Sequence, residues 1–232
     1  MRKKNLSLLG VILLISLFFL QSCQSKPEVK VLERYFHAVR MGDRTTMGTM
    51  ALEPISPEYS SWEITATSEE TVESFDLPDL NSQELELKKQ VEESVIITMN
   101  AKDEVDDALF EMENARTREA RRAAQRKVDD LQKKYEEIRA RHNQLQVDYS
   151  NAQDKSAREE KITSFSLGAG EVPNIRELSG SVHSKEVDIK MTLVSGEIKN
   201  YKCILKRYDL RDETLNLHRR GMWKILRFKV LD

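Results

Sequence analysis

The sequence predicts an α+β fold: a small helix-plus-curved-antiparallel-sheet cone carrying an inserted, long antiparallel α-helical coiled-coil hairpin. Three observations lead there. Residues 28–67 read as amphipathic helix, break and strand. Residues 80–160 contain no glycine and no proline, and their apolar positions recur at alternating spacings of three and four, the coiled-coil signature. From residue 187 onward apolar and polar residues alternate between turn residues, the pattern of hairpin-linked strands.

The elements follow in order. Arg2, Lys3 and Lys4 precede an uncharged run from Leu6 to Leu20. A basic start, a short apolar stretch and a small residue before a cut site describe a signal peptide over residues 1–22. The run is shorter than the roughly 20 apolar residues a spanning helix needs. Residues 23–27 form a tether. Val29, Leu32, Phe36 and Val39 then share one helical face, and Gly42-Asp43 ends that helix because glycine takes the left-handed conformation freely. A short helix is expected over 45–52, stopped by Pro54 and Pro57, and a strand over 61–67.

In the insertion, one seam runs Val91, Val95, Thr98, Lys102, Val105, Leu109, Met112. A second runs Val128, Leu131, Tyr135, Ile138, His142, Leu145, Tyr149, Ala152. The second is out of phase with the first, which places a turn near 114–119, with Asn114 and Thr117 as caps. Folding there sets Val91 across from Leu145 and Val105 across from Leu131. Residues 81–115 hold 10 acids and 3 bases, and residues 116–160 hold 12 bases and 9 acids, so the arms attract. Arms of about 35 residues reach roughly 50 Å. Beyond Lys161 strands are expected, first around Phe165 and Leu167, then through Val187–Leu193, Tyr201–Leu205 and 222–231. In that last strand Trp223 and Ile225 take one face, and Leu226, Phe228 and Val230 the other. The domains are then 28–80 with 161–232, interrupted by the hairpin at 81–160.

Leu20-Gln21-Ser22-Cys23 resembles the bacterial lipobox, with Leu, a small residue and Cys in place and Gln21 departing from the small or aliphatic residue usual there. The resemblance implies cleavage before Cys23 and a diacylglycerol on its thiol. Gln24 resembles the outer-membrane sorting signal of enteric lipoproteins. The resemblance thus implies a lipid-anchored, periplasm-facing protein of the cell or outer membrane. The helix ending Val39-Arg40-Met41-Gly42-Asp43 and the closing Trp223-Lys224-Ile225 are similar to the nuclear transport factor 2-like (cystatin-like) superfamily over 28–67 and 161–231. That family does not normally carry such a hairpin. It includes isomerases and binding domains alike, so fold alone names no activity.

Losing the leader removes three bases and no acid, taking the formal net charge from −2 to −5, which argues against a general nucleic-acid partner. The four histidines, His37, His142, His183 and His218, are dispersed, without zinc-ligand spacing. There is no phosphate-binding glycine loop and no Gly-x-Ser-x-Gly elbow. No cofactor is implied. Tyr35, His37 and Asp188 are the groups that could line a cone, but no motif joins them into a catalytic set. With Cys23 lipidated, Cys203 is left as a lone buried thiol.

The remaining candidate surface is the hairpin tip, where Arg116, Arg118, Arg121, Arg122, Arg126 and Lys127 accompany one acid. Near an anionic surface each base adds about 1 kcal/mol. The expectation is a non-catalytic, lipid-anchored scaffold whose tip meets an acidic envelope partner or anionic lipid. Lys102 and His142 in the seams would set register in a homo-oligomer. The alternative is a small-ligand or isomerase-like cone with the hairpin as an accessory.

Overall fold

The computed structural model describes residues 26–168 and 172–231. The leader and Cys23 lie outside the described residues. The order of elements is α1 (Pro27–Met41), α2 (Arg44–Met50), β1 (Tyr59–Thr67), β2 (Thr71–Ser74), α3 (Leu77–Glu113), α4 (Arg118–Leu167), a 3-10 turn (Ile175–Glu177), β3 (Ser179–Leu193), β4 (Ile198–Asp212), β5 (Leu217–Arg220) and β6 (Lys224–Leu231). The fold is α+β, with a curled antiparallel sheet and two long helices packed on each other, as the sequence predicts. The strands run β1-β3-β4-β5, with β2 on β3 and β6 on β4. The described residues divide into two compact units, one of 26–73 with 182–208 and 220–231, the other of 74–168 and 172–181 with 209–219.

In the first unit α1 ends as its sequence dictates. Gly42 adopts φ 67°, Asp43 N–H reaches Ala38 O at 2.9 Å, and Gly42 N–H reaches Val39 O at 3.1 Å. These bonds satisfy carbonyls the helix end would orphan. Asp43 then caps α2, accepting from Thr46 N–H at 3.0 Å. Leu32, Tyr35, Phe36 and Val39 pack on Val187, Ile189 and Met191 of β3, Tyr201, Cys203 and Leu205 of β4, and Ile225 of β6. Phe36 meets Trp62 with ring centres 4.7 Å apart, and Tyr35 meets Phe228 at 5.2 Å. Burial pushes the Cys203 thiol well above its usual range, so it is an inert core group.

One expectation fails in β6. Leu205 pairs with Ile225 and Ile204 with Arg227, which leaves Leu226 as an extra residue. That bulge reverses the alternation, so Ile225 and Phe228 both join the core instead of facing opposite ways. A similar change of parity runs along β4, where buried positions pass from Tyr201, Cys203 and Leu205 to Tyr208, Leu210 and Asp212.

In the second unit α3 and α4 form the hairpin. Asn114 ends α3, its side-chain amide donating to Phe110 O at 2.8 Å, and Thr117 caps α4, accepting from Ala120 N–H at 3.1 Å. The predicted register holds at Ser94, whose hydroxyl lies 2.7 Å from His142 Nδ1. The strand expected around Phe165 and Leu167 is instead the end of α4, with Ile162, Thr163 and Ser166 buried at helical spacing and Gly168 in the left-handed conformation after it. Two apolar residues flanking one serine are too few to set a period, and the helix already running through Glu160 continues, with the intervening Ser166 turned inward. The expected boundary at 160/161 therefore falls inside a helix. Gly180 stands at φ 145°, and a Cβ there would lie 2.2 Å from Asp209 O. Only glycine allows that approach of β3 to β4.

Candidate functional surfaces

The inner face of the hairpin differs from the sequence expectation on one arm. α4 turns in every seam residue predicted for it, from Val128 to Ala152. On α3, Val91, Thr98, Val105 and Met112 turn inward as expected, but Val95, Lys102 and Leu109 do not. Ser94, Ala101 and Ala108 take their places. The buried set still alternates three and four, read with the short step first. Ala101 and Ala108 are 5% and 1% exposed. Small residues let the two backbones approach closely; hydropathy counting favours the larger neighbours one position on.

That choice leaves large apolar groups outside. Leu85, Ile96, Met99 and Phe110 are exposed by 57, 62, 61 and 69%, and they share the side of α3 opposite its seam. An isolated exposed leucine is ordinary, whereas several on one helix face make that face a candidate contact surface.

The tip bases Arg116, Arg118, Arg121, Arg122, Arg126 and Lys127 are all exposed. The fold-back sets acids beside them. Lys127 pairs with Glu111 at 2.7 Å, and Lys134 with Glu104 at 2.9 Å. Residues 103–130 hold 9 acids against those 6 bases, a net of −3. The run that stands out as basic in sequence is thus interleaved in space with the acidic end of α3.

At the root of the hairpin one arginine joins both arms. Arg176, on the 3-10 turn, reaches Glu84 of α3 at 2.8 Å, Asn81 at 3.2 Å and Glu160 of α4 at 2.7 Å.

The first unit holds a polar cluster that sequence reasoning missed. His183 and Lys185 of β3 stand in phase with the buried Val187 and Ile189, and Arg207 of β4 in phase with Cys203 and Leu205. His183 Nδ1 lies 2.6 Å from Glu70, and Lys185 binds the buried Glu28 at 3.1 Å. Arg207 lies 3.6 Å from Glu70 and sits over the Trp223 ring at 5.1 Å. Burial alone would raise the Glu70 carboxyl; the His183 hydrogen bond and the charges of His183, Arg207 and Lys185 outweigh it and hold Glu70 below its usual range. The detectable signal was a charged side chain at an inward-facing strand position.

Tyr35, His37 and Asp188 do not converge. The Tyr35 hydroxyl donates to Ile55 O at 2.7 Å and accepts from Ile55 N–H at 2.8 Å, and burial pushes its pKa up to about 12. His37 is exposed on α1, and Asp188 alternates with the buried Val187 and Ile189, on the other face of β3. Among the described residues no group of three or more His, Cys, Asp or Glu is placed to hold a metal ion, and no helix is long and apolar enough to cross a membrane. No protein-family model, curated protein or solved structure matches the chain.

Proposed function

We propose that this is a lipid-anchored bacterial envelope protein whose hairpin is a non-catalytic, protein-binding scaffold. The observation that carries it is the exposed apolar face of α3, at Leu85, Ile96, Met99 and Phe110, on a hairpin whose seam is already filled. The anchor is read from the leader and from Leu20, Ser22 and Cys23. A tether of four residues, 23–26, ahead of α1 would keep the first helix close to the membrane. The acids interleaved with the tip bases favour a protein partner over a broad anionic lipid surface.

In the same proposal the α+β unit is nuclear transport factor 2-like, supported by the helix break at Gly42-Asp43 and the curled sheet. An isomerase-like cone is disfavoured, because Tyr35 is engaged with Ile55 and neither His37 nor Asp188 joins it. Two measurements test the proposal in membranes. Cys23→Ser should abolish lipid labelling and release the protein from the membrane fraction. A photo-crosslinking residue at Phe110 or Ile96 should capture protein, and one at the exposed Met41 of α1 should not. Equal capture from both places would remove the hairpin as the contact module.

A further inference from the structure

The outer face of α3 has an internal order that points to its occupant. Leu85, Glu92, Ile96, Met99, Asp103 and Phe110 are exposed and follow at spacings of seven, four, three, four and seven. These are heptad steps, so the six lie on one stripe, about 38 Å long at 1.5 Å per residue. The spacing reads the same from either end, about a midpoint between Ile97 and Thr98.

A second α3 laid antiparallel about that midpoint meets the first with matching chemistry. Leu85 falls against Phe110 of the second copy, and Ile96 against Met99 of the second copy. Lys89 and Asp106, both exposed in the single chain, continue the same three-and-four steps, so Lys89 falls against Asp106 of the second copy. One pair opposes the contact, Glu92 with Asp103 of the second copy, and the two-fold repeats it.

We infer that the outer face of α3 is an isologous docking surface for a second copy of this chain, bound antiparallel. An isologous contact requires a self-complementary patch, which the order of this stripe supplies and an unrelated partner would not need. Glu92, Asp103, Asp106 and Asp107 on the same face oppose an anionic bilayer as occupant. The like-charged pair makes the contact weak and reversible. This docking rests on the proposed role of the hairpin as a protein-binding module.

The complete chain in mild detergent, followed by sedimentation velocity, tests the surface. The wild type should show a concentration-dependent dimer. Ile96→Glu should abolish it while leaving the far-UV circular dichroism unchanged, since the site is exposed in the single chain. Glu92→Lys should tighten it by about tenfold, because repulsion becomes attraction at two symmetric places. Oxidative trapping in a Cys23→Ser background tests the register. Leu85→Cys mixed with Phe110→Cys should form a mixed disulfide, whereas Leu85→Cys alone should not dimerise. Leu85→Cys dimers would overturn the antiparallel arrangement, and a monomer at all concentrations would overturn the second copy as occupant. If the Ile96 photo-crosslinker then still captures a different protein, the hairpin remains a contact module with another partner; if it captures nothing, both proposals fall.

Discussion

Replacing Arg176 with methionine keeps most of the aliphatic stem and removes the guanidinium that joins the two arms of the hairpin. Three hydrogen bonds go with it, to Glu84, Asn81 and Glu160. The main cost is the partner left behind: the Glu84 side chain is only 12% exposed and would lose its cation. Truncating one member of a fully buried pair costs about 3–5 kcal/mol. Arg176 and Glu160 are 32 and 37% exposed, so water takes up part of the loss. The expected destabilisation is therefore roughly 2–3 kcal/mol. Urea unfolding monitored by far-UV circular dichroism should give that difference. Hydrogen exchange should localise it to the roots of α3 and α4, with the amides near the tip unchanged. Adding Glu84→Gln to Arg176→Met should recover part of the loss, since the stranded carboxyl group is gone. A loss under about 0.5 kcal/mol, or no coupling between the two substitutions, would refute the reasoning.

Three further outcomes are expected. Ala101→Leu should cost about 1–3 kcal/mol by overpacking the seam, while Val95→Ala at an exposed position should change stability by under about 0.5 kcal/mol; the reverse order in urea unfolding would restore the sequence-predicted seam. Gly180→Ala should destabilise by at least about 2 kcal/mol, because an L residue is strained at φ 145° and its Cβ would overlap Asp209 O; a thermal midpoint equal to wild type would contradict the close strand approach. Glu70 is held below its usual 4.5, so its contribution to stability is present above that pH and is lost as pH falls through the lower folded value. Glu70→Gln should therefore flatten acid unfolding below pH 4.5, and an unchanged acid profile would remove Glu70 as a source of it.

Much of the architecture could be read from residues whose effect is local. The left-handed turn at Gly42, the caps at Asn114 and Thr117, the α4 seam and the hairpin register each depend on side chains within a turn or two of one another, or on one long period repeated many times. The failures sit where two local readings compete. Phe165 and Leu167 have strand spacing over only three residues, and the helix arriving from Glu160 overrides it. Ile225 and Phe228 alternate in sequence, and one bulged residue against β4 sets both inward.

By itself the sequence determined the two-arm hairpin, its turn, the helix–break–helix opening and the alternating strands, because dihedral preference and hydrophobic period act along the chain. Tertiary structure decided which residues those patterns bury. On α3, Val95 and Leu109 are more apolar than Ser94 and Ala108, yet the smaller residues face α4 because close backbone approach rewards size rather than hydropathy. The same decision turned the large side chains outward and made the α3 face a surface. The tip bases and the Glu70 cluster follow the same principle: a charge is basic, neutralised or buried according to what the fold places beside it, and those neighbours are up to 157 residues away in the chain.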